Sequence, residues 1–217
     1  QEMERVLGAA ERAGVDFVAI KGHAVGRTLY PNPACRPTTD VDVLVAPAQV
    51  AAARALLLEL GYTPFNRYLG RYWLAGQMWF LHAGERALHG LDLHWDITNR
   101  MYFRQRVSPA ELIRSAPSVD CGERVLKVTN LADSAVIACV HLAAFDPGLT
   151  VSLRWLLDVR LLLAAIAAGD VRGFVERAQE WGFGGEKKGS SPDRVGHSGL
   201  VYPNREGREV KNVFSHR

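Results

Sequence analysis

The spacing of apolar and polar residues over the first 61 positions predicts helices and strands in alternation. Residues 2–13 have helical spacing and stop before Gly14, a residue suited to a helix C-terminus. VDFVAI (15–20) and DVDVLV (40–45) are apolar and β-branched, which predicts two buried strands. Between them we expect a turn, a short helix and a proline-rich loop, and after them a helix that begins near Pro47.

The pattern further along the chain predicts a hairpin and then helices. QMWFLHA and ALHGLDLHWDI, separated by GER, are typical of a β-hairpin. Three helical patterns follow, and Thr129 or Asn130 caps the first of them. We therefore predict an α+β fold: a small mixed sheet flanked by helices at residues 1–120, followed by a helical C-terminal subdomain at residues 121–184.

Composition separates residues 185–217 from the rest. This stretch is rich in Gly, Ser and charged residues, and it carries 7 Lys+Arg against 4 Asp+Glu. Residues 1–184, the body of the chain, carry 19 Lys+Arg and 19 Asp+Glu. Lys21 and Lys127 are the body's two lysines. We expect a disordered or foreign tail and assign it no function. Because the body has no net charge, we expect no long nucleic acid as a partner.

Several classes of function are disfavoured by the sequence. The three cysteines are odd in number and lack CxxC spacing, which argues against a disulfide framework and a thiolate metal site. The first residues lack the apolar core of a signal peptide, and Arg154, Asp158 and Arg160 interrupt the most apolar segment, so we expect a cytoplasmic protein with no membrane partner. P-loop, dinucleotide-binding, HExxH and GxSxG motifs are missing from the sequence.

The candidate chemistry lies in the second strand. Asp40 and Asp42 are one residue apart, so a strand points both carboxylates the same way, and they repel each other unless a cation lies between them. Mg²⁺ favours carboxylates together with substrate phosphates, and paired ions can clamp both oxygens of a phosphoryl displacement. Asp92, between two leucines, is a candidate third ligand, and Lys21-Gly22 would let a triphosphate approach the backbone.

These residues occur in a recognisable order. "KG", "LYP", "RPTTDVDVLV" and "LDLHW", followed by "HLAAF" and "LRWLLDVRLLL", resemble the uncharacterised bacterial nucleotidyltransferase family of the polymerase-beta-type superfamily. The resemblance covers about residues 15–182. It implies a polymerase-beta-like core in which Asp40 and Asp42 bind two Mg²⁺ ions. Asp92 would be the third ligand, near the acceptor hydroxyl, and Gly22 would form the phosphate-facing turn.

Other assignments remain open at the level of sequence. His23 stands where the superfamily has a second small residue, and we place it with Lys21, Gly22 and Arg36 among the residues that bind the nucleotide. The alternative to nucleotide binding is a solvent-exposed position for Lys21, and an ion pair with Asp40 or Asp42 for Arg36. The carboxylates also have structural alternatives. Asp40 and Asp42 could form a solvated strand end, and Asp92 could form a local ion pair with an arginine.

A second group of residues has structural alternatives of its own. If the strand continues, Asp96 shares a face with Asp92 and His94, and spacing alone does not separate the two aspartates. His94 and His141 are candidates for structural roles, and Arg154 and Asp158 have the spacing of a helical ion pair. The aromatic residues from Tyr68 to Trp79 form either core or the wall of a binding site.

The resulting hypothesis is an Mg²⁺-dependent nucleotidyltransferase. It moves a nucleoside monophosphate from a nucleoside triphosphate to a small-molecule or protein acceptor. One alternative is a catalytically degenerate protein of the same fold that binds or regulates a partner. Another is a single-metal hydrolase that uses Asp40, Asp42, Asp92 and His94. The nucleotide, the acceptor and the oligomeric state stay open.

Overall fold

A computed structural model describes residues 2–65, 76–83, 86–98, 103–143 and 152–183. The chain divides into two units, Gln1–Gly184 and Gly185–Arg217, and every described residue lies in the first. The predicted tail lies outside the described residues, as do Tyr68, Tyr72 and Trp73 of the aromatic segment.

The described elements are α1 (Glu2–Ala13), β1 (Val18–Ala19), α2 (Lys21–Thr28), β2 (Asp40–Leu44), α3 (Val50–Glu59), β3 (Tyr62–Pro64), β4 (Gly76–Ala83), β5 (Arg86–His94), α4 (Pro109–Ser115), β6 (Ser118–Cys121), β7 (Arg124–Val128), α5 (Leu131–Ala143), α6 (Leu153–Ala167) and α7 (Val171–Glu180), with short 3₁₀ turns at Pro33–Cys35 and Pro47–Gln49.

The strands form one mixed sheet in the order β3-β4-β5-β2-β1-β7-β6. β2 is parallel to β5 and antiparallel to β1, and β1 is parallel to β7. The predicted hairpin is confirmed as β4 and β5. The α+β prediction is also confirmed, since helices flank this sheet and α5, α6 and α7 follow it.

The two faces of the sheet bury different parts of the chain. Val41 and Val43 of β2 point to one face, where they pack in a cluster with residues of α1 and α3. Leu44 points to the other face and packs with residues of α4, α5 and α7. Because side chains alternate along a strand, Asp40 and Asp42 belong to this second face, below the C-terminal helices.

Local sequence signals fix several element ends. Gly14 has a φ of 64°, and Val15 N donates to Ala10 O, so α1 ends as predicted. Asn130 Oδ1 accepts from Asp133 N at 2.9 Å, which makes Asn130 the side-chain cap of α5. No helix of the described ranges is long and apolar enough to cross a membrane.

Four elements were missed, and the first strand is much shorter than predicted. The first strand has only two paired residues, Val18 and Ala19, instead of all of 15–20. β3, α4, β6 and β7 were not predicted at all. The β6–β7 hairpin lies across the predicted boundary at residue 120 and joins the sheet through β1. The division into core and helical subdomain itself stays a prediction.

Candidate active site

Strand register brings the predicted carboxylates together. In the parallel pair of β2 and β5, Asp42 lies opposite Asp92 and Asp40 lies opposite Gly90. The three carboxylates therefore project from one face of two adjacent strands. Gly90 leaves room for this arrangement, since a Cβ there would come within 3.2 Å of Asp40 Cβ.

Lys21 reaches this face from the first position of α2. Its Nζ lies 2.6 Å from Asp42 Oδ1 and 3.2 Å from His94 Nε2. Its backbone has a φ of 55°, a left-handed conformation that costs a non-glycine residue about 1–2 kcal/mol. Burial raises the pKa of Asp42, but the charge of Lys21 and the hydrogen bond from His94 outweigh burial and hold that pKa well below its usual range.

His94 bridges the carboxylates of the two strands. Its Nε2 lies 2.9 Å from Asp42 Oδ1 and 3.0 Å from Asp92 Oδ2. Burial and Lys21 lower the pKa of His94, and the two carboxylates raise it by more. The pKa of Asp92 is lowered, because its attraction to His94 outweighs burial. The imidazole thus holds two acidic side chains of different strands in one geometry.

The negative charge of Asp40 is less well compensated than the charges of Asp42 and Asp92. Thr39 Oγ1 donates to Asp40 Oδ1 at 3.2 Å. Burial and the negative charge of Asp42 nevertheless raise the pKa of Asp40 above its ordinary value. Negative charge is therefore in excess at this end of the site, which is the electrostatic setting for a cation.

The acidic face opens into a cavity of about 340 Å³. One part of its wall comes from α2, β2 and β5, and the other part from α5 and α6 of the helical half. The wall thus combines carboxylates, cations and an aromatic side chain. The lining residues are Lys21, Gly22, Val25, Arg36, Thr38, Thr39, Asp40, Asp42, Asp92, Ala138, His141, Arg154, Trp155 and Asp158.

Arg36 lines this cavity in a buried pair with Asp158. Arg36 Nε lies 2.9 Å from Asp158 Oδ1, and Nη2 lies 2.6 Å from Oδ2. Tyr30 Oη also donates to Asp158 Oδ1, and Arg36 Nη1 donates to the carbonyl of Pro37. The partner of Arg36 is thus neither Asp40 nor Asp42, and Arg154 donates to Pro37 O.

Two glycines of α2 make room for this arginine. A Cβ at Gly22 would come within 2.9 Å of Arg36 Nη2, and one at Gly26 within 3.2 Å of Arg36 Cβ. Gly22 and Gly26 are four residues apart and so lie on one side of the helix. The glycine that we predicted as a phosphate-facing turn therefore also accommodates the Arg36 side chain.

Two predicted or ambiguous residues lie elsewhere. His23 is not among the cavity-lining residues, and its Nε2 accepts from Arg27 Nε at 3.2 Å. Burial and the charge of Arg27 lower the pKa of His23 to about 4. β5 ends at His94, and Asp96 accepts from the backbone amides of Ile97 and Gln105. Asp96 is thus occupied in a loop, which separates it from Asp92.

Several residues of the cavity wall were not predicted to belong to the site. His141 and Trp155 contact each other edge to face, with ring centroids 4.6 Å apart. Burial lowers the pKa of His141 to about 4, so this ring is neutral at pH 7. Asp158 had been expected to pair with Arg154. Helical spacing could place Arg154, Trp155 and Asp158 on neighbouring positions of α6, but no local signal showed that α6 faces β2.

The donor set fits hard divalent cations. Oxygen atoms of Asp42 and Asp92 lie with His94 Nε2 within 4.8 Å of one another. Mg²⁺ favours carboxylate oxygens, and the excess negative charge at Asp40 favours a cation on the same side. Asp42, Asp92 and His94 are therefore the residues whose donor atoms lie close enough together to hold a cation, and Asp40 lies beside them on the same strand face.

Comparisons with known proteins agree with this fold. Among curated proteins, no sequence matches the chain. A solution structure of the antibiotic-resistance factor ANT(2'')-Ia has a TM-score of 0.57 at 14% identity, covering 82% of this chain and 89% of that one. A crystal structure of ANT(2'')-Ia in complex with adenylyl-2''-tobramycin has a TM-score of 0.54 at 16% identity, covering 82% and 94%. The lincosamide antibiotic adenylyltransferase LnuA, with lincomycin bound, gives 0.48 at 13% identity, covering 75% and 95%.

At such identities the structural likeness establishes the fold alone. The family is established by sequence. The profile of a family described as uncharacterised nucleotidyltransferase matches residues 1–185 of the 217, a range that contains every residue of the acidic site. The chain therefore belongs to this uncharacterised nucleotidyltransferase family.

Proposed function

We propose that this protein transfers a nucleoside monophosphate from a nucleoside triphosphate to an acceptor, with two Mg²⁺ ions held by Asp40, Asp42 and Asp92. The observation that carries the proposal is the pairing of Asp42 with Asp92 across two parallel strands, with Asp40 beside them at one cavity. When bound, the ions would neutralise charge on the phosphates and on the attacking and leaving oxygens.

The first turn of α2 is the proposed triphosphate site. Gly22 presents backbone to the cavity without a side chain, and Lys21 supplies a cation next to the acidic face. Backbone N–H groups in a first helical turn have no partner within the helix and favour anions. The His23 amide belongs to this turn, whereas its side chain bonds to Arg27. Arg36 shapes the wall, since Asp158 engages its Nε and Nη2.

In the proposed reaction an acceptor oxygen attacks the α-phosphorus. A new oxygen–phosphorus bond forms, the bond to the pyrophosphate oxygen breaks, and pyrophosphate leaves. Asp92 is a carboxylate at neutral pH, as an ordinary aspartate is, and it can accept the hydrogen of the attacking hydroxyl. Most of the catalytic effect comes from positioning and charge neutralisation.

A small molecule is the favoured acceptor. ANT(2'')-Ia shares the fold and has a structure with adenylyl-2''-tobramycin, which supports a small hydroxyl-bearing acceptor for this chain as well. The neutral body argues in the same direction, because binding a long nucleic acid relies on clustered positive charge. The helical wall at His141, Arg154 and Trp155 is the proposed acceptor side.

One observation favours a second candidate, a catalytically degenerate binding protein. Lys21 Nζ contacts the carboxylate that would bind metal, so a cation of the chain already lies at this position. A degenerate protein would bind a nucleotide or a partner without turnover. The two candidates therefore differ in product formation.

The test is calorimetric titration of ATP, GTP, CTP and UTP with and without Mg²⁺. We expect binding that requires Mg²⁺ in the wild type and is lost in Asp42→Asn. The matched control is Asp120→Asn, an exposed strand aspartate, which should bind as the wild type does. Release of pyrophosphate with a panel of hydroxyl-bearing acceptors then separates enzyme from degenerate binder. Folded wild type that binds no nucleotide would contradict the proposal.

A further inference from the structure

Lys21 and a divalent cation would compete for the same carboxylate, that of Asp42. Lys21 Nζ lies 2.6 Å from Asp42 Oδ1, the atom that also contacts His94 Nε2 at 2.9 Å. The side chains of Lys21 and Asp42 are only 17% and 15% exposed, so water screens this contact little. A cation bound by the Asp42 carboxylate would therefore lie close to the ammonium.

Among the described residues, Asp42 accepts the shortest hydrogen bond from the ammonium, at 2.6 Å. Its hydrogen-bond partners there are Asp42 and His94, and the imidazole carries no negative charge. Two like charges at this separation destabilise each other markedly in a partly buried site. The ammonium needs a new anion when a metal ion occupies its position, and the phosphates of a nucleotide would be that anion.

We infer that Lys21 is an internal counter-ion that competes with divalent cations for Asp42, so that metal binding is weak alone and strengthened by a nucleotide. This inference rests on the proposed function. It makes Lys21 a coupling residue: the nucleotide attracts the ammonium away from Asp42, and the metal site becomes available. By linkage, the metal strengthens nucleotide binding by the same factor.

Mn²⁺ binding without nucleotide tests the competition. Free Mn²⁺ is measured by electron paramagnetic resonance in the wild type, in Lys21→Met and in a control, Lys127→Met. Lys127 is a suitable control because it also contacts an aspartate, Asp16, at 2.7 Å, but in an exposed pair. We expect Lys21→Met to bind Mn²⁺ about tenfold or more tightly than the wild type, a typical coupling between sites. Lys127→Met should equal the wild type.

The outcomes separate this inference from the proposed function. Equal or weaker Mn²⁺ binding by Lys21→Met overturns the competition and leaves the metal site standing. A lack of Mn²⁺ binding in both wild type and Lys21→Met overturns the competition together with the metal site. Adding a nucleotide should strengthen Mn²⁺ binding in the wild type more than in Lys21→Met, because only the wild type has an ammonium to displace.

A second measurement avoids any loss of folding in the variant. Wild-type protein is acylated with an amine reagent, with and without saturating Mg²⁺, and modification of each lysine is followed by mass spectrometry. Lys21 and Lys127 are the two lysines of the body, so their peptides are easily distinguished. We expect Mg²⁺ to speed modification of Lys21 several-fold and to leave Lys127 unchanged. Slower or unchanged modification of Lys21 at saturating Mg²⁺ would overturn the inference.

Discussion

Two clusters of charge line the same cavity, and they differ in how completely their charges are matched. In the Arg36–Asp158 pair, a guanidinium and a carboxylate meet side to side, and Tyr30 and the Pro37 carbonyl take up further hydrogen bonds. In the acidic cluster, three carboxylates share Lys21 and His94, and Asp40 has a raised pKa. The Arg36–Asp158 pair is saturated, in the sense that its charges are matched and hydrogen-bonded, whereas the acidic cluster has an excess of negative charge.

This difference indicates what each cluster is for. A saturated buried pair stabilises one arrangement of the chain, here the arrangement of the loop before β2 against α6. A cluster of like charges is unfavourable by itself and persists because the sheet holds its members in register. Such a cluster is suited to bind a ligand of opposite charge. The comparison therefore favours a structural role for the Arg36–Asp158 pair and supports the proposed binding role for the acidic cluster.

The largest expected effect is on turnover. Asp42→Asn removes one charge of the acidic cluster and should lower kcat by about 10²–10³-fold or more, since charge stabilisation at the reacting phosphate is lost. Because Asp42 also pairs with Lys21 and His94, we expect some loss of stability as well, and thermal unfolding must show that the variant is still folded. Pyrophosphate release and thermal unfolding are measured together. If Asp42→Asn kept wild-type turnover, the acidic cluster would not be the active site.

Breaking the saturated pair should act on stability instead. Asp158→Asn leaves a buried guanidinium without its counter-charge and should lower the free energy of unfolding by about 3–5 kcal/mol. The control is Asp16→Asn, in the exposed pair with Lys127, for which less than about 1 kcal/mol is expected. Urea denaturation measures both. Similar small losses in the two variants would remove the distinction between the clusters.

A smaller effect should follow from crowding the pair. Gly22→Ala places a Cβ 2.9 Å from Arg36 Nη2, and the guanidinium cannot yield easily because Asp158 holds it. We expect a loss of about 1–3 kcal/mol in the free energy of unfolding. Gly169→Ala is the control, as its Cβ would meet Ala165 O at an ordinary 3.5 Å. If Gly22→Ala left the free energy of unfolding unchanged, Arg36 would have room to move away from the added methyl group.

The last prediction concerns the pH dependence of stability. The pKa of His23 is about 4 in the folded protein, below its ordinary 6.5, so between these values the unfolded chain binds a proton that the folded chain does not. Stability therefore falls as pH falls through this window, by up to about 1.4 kcal/mol per pH unit for one such group. His23→Gln should reduce this slope, and the exposed His82→Gln should leave it unchanged. An identical slope in wild type and His23→Gln would contradict the buried neutral state.

Much of the acidic cluster could be predicted because strand alternation is a local rule. The spacing of Asp40 and Asp42 places both on one face whatever else the chain does. Gly14 and Asn130 likewise mark helix ends through contacts within five residues. The apolar and aromatic composition around Asp92 was enough to predict the hairpin of β4 and β5.

Other features depended on contacts between distant parts of the chain. Spacing left Asp92 and Asp96 equivalent, and only the end of β5 at His94 and the loop amides bound by Asp96 separated them. The partner of Arg36 is 122 residues away in sequence, so no local pattern could name Asp158. β6 and β7 were missed because short strands of mixed polarity are recognised mainly by the strands they pair with.

The sequence by itself thus determined which residue types could form the site: an acidic pair on one strand face, a third acidic strand residue and a lysine-glycine turn. The tertiary structure decided how they meet. It set Asp42 against Asp92, placed the Lys21 ammonium on Asp42, and assigned Arg36 to Asp158. The physical reason is one of range. Backbone periodicity acts over a few residues, whereas a charge pairs with whichever opposite charge the folded chain brings within a few ångströms.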